Sequence, residues 1–418
     1  MCEDEKSFEQ FLKEAFEELE IAERELAMQA LYDGMDDHFE FEPLSGKTAI
    51  LTDYTGEDET AEIPAQVGAF TVTAVGRCAF LLKEGLQAIL LPDTVETIRD
   101  FAVQNCRQVQ RIVLPRNLRN FGKYAIYGAP ALQRLELPED CAHYTLRDGI
   151  LYNREMTELI FCPPACGLTR YVVPDTVRKI RPRAFYGCRT LREIRLPEGL
   201  RSIGEWAFAN TGLASVILPD SLTELEDHAF AGCRAMEWAA LGADLWRING
   251  SCFSGCPSLK IFFLDARNTD LQMRDGYLLD SSGRKLIYAL PGQTKGTIFL
   301  PLDIHELGCH AFDGCTEVVE VVLHSEVEQI GTCAFEGCSS LQRMELPPKV
   351  TVVEDYVFCD CTALKQVELH EAIRSVSGFA FVGCSRLKKI QLHRHTIIDT
   401  PDYNDKFYHC PARIEILR

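Results

Sequence analysis

At 418 residues, 46% hydrophobic and 25% charged, the chain has an ordinary globular composition and enough length for two or three compact domains. Its formal net charge of −19 argues against nucleic acid or an anionic membrane as partner, since neither is drawn to an acidic surface. No apolar run approaches the roughly 18 residues of a membrane-spanning helix, so no membrane insertion is expected.

The first predicted element is an amphipathic helix. Phe8, Leu12, Ala15, Leu19, Ala22 and Leu26 recur at spacings of three and four, and the opposite face is dense in glutamate. Ser7 with Gln10 fits a capping box, and Asp33-Gly34-Met35-Asp36-Asp37 reads as the terminator. Residues 1–37 are therefore expected to form an acidic helix that caps the rest of the chain or binds a partner, self-association through residues 7–31 included. The segment lacks the basic start, apolar stretch and cleavage site of a secretory signal. A cytoplasmic location is expected, with the cell surface as the alternative.

Residues 38–418 are dominated by one recurring motif, Ala-Phe-x-Gly-Cys. Its aromatic position falls at Phe80, Val103, Ile126, Phe185, Phe208, Phe230, Phe253, Phe312, Phe335, Phe358 and Phe381. The spacing is 23 residues, apart from one step of 22 and two of 59. A period of roughly 20–29 residues marks a leucine-rich solenoid. Within the turn 185–208, Leu191, Ile194 and Leu196 precede Pro197. The period-two alternation points Ile194 and Leu196 inward and Glu193 and Arg195 outward on a strand. Leu200 and Ile203 then start the return path, and Ala207-Phe208 closes the turn. The expected fold is an α/β repeat solenoid with one strand per 23-residue turn, hairpin inserts and the N-terminal helix.

Eight of the 18 cysteines share one slot, three residues after the aromatic: Cys106, Cys188, Cys233, Cys256, Cys315, Cys338, Cys361 and Cys384. Thr211 and Ala129 fill that slot elsewhere. Unpaired cysteine is among the most buried residue types, so a stacked structural ladder is expected, with a redox or metal role as the alternative.

The two long steps carry similar inserts, near 139–174 and 266–301. Each contains Arg-Asp-Gly, an extended run, a polar turn and a second extended run ending in proline. That is a hairpin signal, clearest at Asp280-Ser281-Ser282-Gly283. The strands Tyr171-Val172-Val173-Pro174 and Ile298-Phe299-Leu300-Pro301 then rejoin the repeat. The period fails after about Ile398, where Tyr403, Phe407, Tyr408 and Cys410 are expected to seal the last turn.

The turn pattern Ile-Gly-x-x-Ala-Phe-x-Gly-Cys-x-x-Leu-x-x-Ile-x-Leu-Pro resembles the BspA-like class of leucine-rich repeats, and residues 46–80 resemble that family's N-terminal turn. The likeness spans about residues 39–410. It implies a repeat solenoid of bacterial origin, in a family of mostly surface proteins, some of which bind host matrix proteins or other cells.

Catalytic constellations are sparse. His393 and His395 stand beside Asp399, and His305 and His310 share another turn. Cys162 with Cys166, and Cys359 with Cys361, lack the second half of a zinc pattern. His324, His370 and His393 occupy a slot that other turns give to proline, which favours a loop-edge role. Neither a phosphate-binding loop, a dinucleotide fingerprint nor a nucleophile elbow appears. The expectation is no catalytic residue, no metal and no cofactor; a metal- or redox-responsive protein using its cysteines is the weaker alternative.

The outward strand positions carry the functional reading. Early and late turns place charges there, as at Arg134, Glu136, Arg343 and Glu345. The middle turns instead place Ile217, Trp238, Ile261, Phe263 and Val322. These five are expected to cluster as a protein-binding patch, unless the insert at 271–292 folds back over them. The partner is a protein of unknown identity, and the chain is expected to be a non-enzymatic interaction scaffold.

Overall fold

The structure, a computed structural model, describes residues 37–399, 407 and 409–417. The predicted helix of residues 7–31 and its terminator through Asp36 lie outside the described residues. The described residues divide into two compact units, one of residues 37–155 and 162–166, the other of residues 156–161 and those from 167 onward.

The first unit opens with an antiparallel pair, Phe39–Pro43 against Thr48–Tyr54. Thr48–Tyr54 then starts a parallel ladder through Phe70–Val75, Thr97–Ile98 and Asn120–Phe121. Two further parallel ladders run beside it. One stacks Thr60–Glu62, Ala88–Leu90, Arg111–Val113 and Arg134–Glu136. The other stacks Phe80–Leu81, Val103–Gln104 and Ile126–Tyr127. From Ala88 onward each strand pairs with the segment one period later, Ile89 with Ile112 and then Leu135. This is a coil with a ladder on each of three sides, and Ile89, Ile98 and Phe80 point to its core.

The second unit repeats the plan. Its outer ladders are Arg170–Val172 with Glu193–Arg195; Ser215–Ile217, Trp238–Leu241 and Ile261–Leu264; and Gly296–Phe299, Val318–Val322, Arg343–Glu345 and Gln366–Glu368. The return path carries two-residue strands such as Lys179–Ile180, Ser202–Ile203 and Glu224–Leu225. At the third corner the Ala-Phe segments bond along the coil without forming strands, Phe185 N–H to Ala207 O at 2.7 Å and Phe335 N–H to Val357 O at 2.9 Å. Leu191, Ile194, Leu196, Leu200, Ile203, Ala207 and Phe208 are all buried. The phenylalanine rings stack nearly parallel: Phe185 on Phe208 at 5.0 Å, Phe208 on Phe230 at 5.1 Å, and Phe358 on Phe381 at 5.4 Å.

The α/β expectation is corrected. Among the described residues the only helical element is a single 3-10 turn, Gly250–Phe253. The backbone gives the reason. The residue two before most of the aromatics adopts left-handed φ, as at Trp206 (59°), His228 (59°), His310 (58°) and Cys333 (57°). The residue two after it does the same, at Gly187 (75°) and Gly337 (69°), with Asn210 (58°) and Asp360 (55°) in the same slot. A helix needs an unbroken run of negative φ, and two left-handed residues so close together turn the corner instead. Non-glycine residues there cost about 1–2 kcal/mol each, offset by ladder bonds such as His310 N–H to Thr332 O.

The second insert is a three-stranded meander, one strand more than the hairpin expected. Leu271–Arg274 pairs with Tyr277–Asp280 through Asp275-Gly276, both at positive φ, and Tyr277–Asp280 pairs with Lys285–Ala289. Two consecutive positive φ values are what a two-residue hairpin turn requires, and Asp-Gly supplies them at low cost. Lys285–Ala289 continues into the return-path ladder by pairing with Glu306–Leu307. Tyr288, fully buried, lies 6.5 Å from Phe253 and donates its hydroxyl to Phe253 O at 3.1 Å. The insert thus provides a rung of core between Phe253 and Phe312.

The far end also differs from expectation. The coil continues past Ile398: Ile397–Asp399 pairs with Ser375–Ser377, and Arg413–Leu417 pairs in parallel with Lys389–His393. Phe407 is buried edge-on against Phe381 at 5.1 Å. Tyr403 and Tyr408 lie outside the described residues.

Candidate protein-binding surface

Ile217, Trp238, Ile261 and Phe263 lie on one three-stranded parallel sheet. The register sets Trp238 beside Ile261, and Ala240 between Ile217 and Phe263. Alternation along each strand buries Val216, Ala239 and Phe262 and turns their neighbours to solvent. Ile217 is 63% exposed, Ile261 41% and Phe263 54%. Trp238 is half-buried, its indole edge-on to the Phe263 ring at 5.8 Å.

The insert does not cover this face. Its strands belong to the return-path ladder, and the chain leaving it is tied to the start of Ile261–Leu264 by Gly292 N–H to Leu259 O and Gln293 Nε2 to Lys260 O.

Val322 is in a different sheet from the other four and pairs with Phe299. The expected five-residue cluster is therefore corrected to four residues on one sheet, with Val322 (39% exposed) beside Phe299 (74% exposed) on another. Phe299 is an outward residue the sequence reading passed over, as is Val172, also exposed. Both are the last residues of the strands that rejoin the repeat after an insert, and an Ile-x-Leu reading of Ile298-Phe299-Leu300 would have found Phe299.

Charged outward positions flank the apolar ones within this unit, and several of these charges pair with one another. Arg170 bridges Glu193 at 3.2 Å, and Arg343 bridges Glu345 at 3.6 Å and Glu368 at 3.2 Å. In the first unit Arg111 holds Glu136 through two hydrogen bonds of 2.8 and 2.7 Å, which keeps the carboxyl below its ordinary range.

The eight ladder cysteines are all buried. Cys106, Cys233, Cys256, Cys338, Cys361 and Cys384 each donate the thiol to a carbonyl of the preceding turn, at 3.0–3.2 Å. The Cys162 and Cys166 sulfurs are 3.6 Å apart. Cys361 is committed to its ladder carbonyl, Phe335 O at 3.1 Å. His324 and His370 donate Nε2–H to Pro301 O and Pro347 O at 3.0 and 2.9 Å, and Nδ1 of each accepts the N–H two residues on. His393 and His395 have ring centroids 6.0 Å apart, and His395 donates to Glu371 O.

A second cluster forms at the Ala-Phe corner of the second unit. His310 and Asp313 are buried, with Nδ1–H donating to Asp313 Oδ2 at 2.8 Å, and Glu336 Oε2 lies 3.6 Å from the same Nδ1. Cys333, also buried, occupies the His310 slot one turn later. Ligand atoms of His310, Cys333 and Glu336 lie within 4.8 Å of one another. Burial, reinforced by Asp313, raises the Glu336 carboxyl, and burial with Glu336 raises the Cys333 thiol. His228 stacks on Trp206 at 4.1 Å and meets His310 edge-on at 5.4 Å; burial, then His310, lowers its imidazole.

A coil built mostly of 23-residue turns, with outward strands stacked in parallel and a recurring Ala-Phe-x-Gly-Cys corner, defines a leucine-rich repeat protein. The pattern described as BspA type Leucine rich repeat region matches residues 62–165, 160–274 and 293–412, in six copies, and the chain belongs to that family. Solved structures similar to it include a leucine rich cell surface protein from Faecalibacterium prausnitzii A2-165, 23% identical, covering 91% of this chain and 94% of that one, with a TM-score of 0.49. A leucine-rich repeat protein from Bacteroides ovatus ATCC 8483 is 22% identical over 93% of this chain and all of its own, with a TM-score of 0.34. One from Eubacterium ventriosum ATCC 27560 is 17% identical over 85% and 95%, with a TM-score of 0.38. No curated protein matches the chain. No helix among the described residues is long and apolar enough to cross a membrane.

Proposed function

We propose that the protein is a non-enzymatic scaffold that binds another protein on the outward strands Ser215–Ile217, Trp238–Leu241 and Ile261–Leu264. One observation carries this reading: Ile217, Ile261 and Phe263 stand open to solvent on a single sheet, while several charges on flanking strands pair with each other. Contiguous exposed apolar surface with a charged rim favours association, and a tryptophan at its centre is a frequent anchor. The chain's charge of −19 favours a partner with an apolar centre and a basic rim. Self-association through residues 7–31 belongs to the same proposal, tested by the mass in solution of the full chain against residues 38–418.

The decisive experiment compares wild type with a Trp238→Ala, Phe263→Ala variant in capture from the source cell, followed by titration with each captured protein. Loss of capture and at least a tenfold weaker affinity are expected. Unchanged affinity for every captured protein would remove this reading.

Family membership supports a second reading, a surface protein that contacts host matrix or other cells. Protease treatment of intact source cells separates the two. A protected protein fits the intracellular scaffold, and a digested one the surface role.

A further inference from the structure

We propose that His310, Cys333 and Glu336 hold a divalent transition-metal ion of the zinc class, with Asp313 fixing the imidazole. The three ligand atoms already lie within 4.8 Å of one another, so small side-chain rotations bring them onto one ion. Nitrogen, thiolate sulfur and carboxylate oxygen form a donor set that suits zinc or cobalt and not magnesium or calcium. Asp313 accepts from His310 Nδ1 at 2.8 Å, which leaves Nε2 as the nitrogen for the ion and makes Asp313 the carboxylate that orients a metal-bound histidine.

The fold explains why these residues meet. His310 and Cys333 occupy the same slot in successive turns, and Glu336 directly follows the aromatic Phe335. Stacked turns bring such slots to neighbouring positions, as parallel strands about 4.8 Å apart do. Other turns fill the His310 slot with rings, Phe101, Trp206, Tyr356 and Phe379, several of them stacked on a neighbouring ring. Here two carboxylates and a thiol surround one imidazole in a largely buried corner. Such an acidic surplus is costly to bury, and a divalent cation balances it.

The test uses the full chain freed of metal by chelation. Zinc is titrated by calorimetry, and cobalt is followed by absorption. One equivalent of either is expected, and the cobalt complex of wild type shows a thiolate-to-metal charge-transfer band. Cys333→Ser abolishes that band, and His310→Ala weakens binding by more than about 100-fold. Asp313→Asn, which removes only the orienting carboxylate, weakens it by about 10–100-fold. Cys309→Ser, which changes the exposed neighbouring thiol, leaves both band and affinity in place. Three results would each overturn the proposal: no stoichiometric binding, a cobalt complex of wild type without the thiolate band, or a band lost in Cys309→Ser and kept in Cys333→Ser. The wild-type cobalt spectrum needs no variant, so a variant that fails to fold leaves the test intact.

Discussion

The thiol of Cys338 donates to the carbonyl oxygen of Phe312 at 3.2 Å, across 26 residues of chain. The same bond recurs from Cys361 to Phe335 O at 3.1 Å and from Cys384 to Phe358 O at 3.0 Å. Each cysteine thus fills a small apolar slot and also satisfies a carbonyl of the turn before it. Cys338→Ala is expected to cost about 0.5–1.5 kcal/mol, the net worth of one hydrogen bond, because Phe312 O still accepts from Cys315 N–H at 3.1 Å. Cys338→Ser keeps a donor and should cost less. Urea unfolding of both variants checks this; a larger loss for serine would show that apolar volume, not the hydrogen bond, decides the slot.

Phe335 is stacked between Phe312 at 5.3 Å and Phe358 at 5.6 Å. Phe335→Ala should destabilise the second unit by about 3–5 kcal/mol. Because repeats stabilise one another through nearest-neighbour interfaces, amide protection should fall in the turns of both Phe312 and Phe358. Hydrogen exchange confined to the mutated turn would contradict this.

Phe262 and Phe263 are adjacent and face opposite ways, 6% and 54% exposed. Phe262→Ala is expected to cost about 3–5 kcal/mol, whereas Phe263→Ala should stay within about 0.5 kcal/mol of wild type. Denaturant midpoints of the two variants measure the contrast. A large loss for Phe263→Ala would mean that the ring serves packing instead of recognition.

Arg267 ties Asp265 and Asp220, with Nη2 at 2.8 and 2.5 Å from their carboxylates. The guanidinium holds the Asp265 carboxyl down at about 2, against an ordinary 3.8. With the folded value depressed, the contribution is present above the ordinary value and is lost as pH falls from 3.8 towards about 2. Arg267 is exposed and both carboxylates are reached by solvent, so the effect on stability is small and weakens with salt. In Arg267→Ala, carboxyl NMR should find Asp265 titrating back near its ordinary value. An unchanged titration would mean that Arg267 is not the cause.

Much of the coil was legible in the sequence because inward and outward positions follow from strand alternation and the repeat supplies the register. Ile194 and Leu196 are buried and Glu193 and Arg195 exposed, as alternation demands. The missing helix was less legible, because left-handed backbone at Trp206 or Tyr356 is imposed by the stacked ladder and is foreign to the residue type. Phe299 escaped because a fixed offset from each repeat aromatic steps over the strand that follows an insert. The His310, Cys333 and Glu336 grouping escaped because metal motifs are sought at short local spacings, and here a full turn of chain separates two of the ligands.

The amino-acid sequence alone determined that the chain winds into repeating turns, which side chains enter the core, and that successive turns share slots. Those facts depend on local alternation and a constant period. Only the tertiary structure decided that the second insert joins the return-path ladder and leaves Ile217, Ile261 and Phe263 open. It also decided that an imidazole, a thiol and two carboxylates from neighbouring turns share one corner. A turn too short to bury its own apolar face must stack on others, and that stacking brings distant residues together.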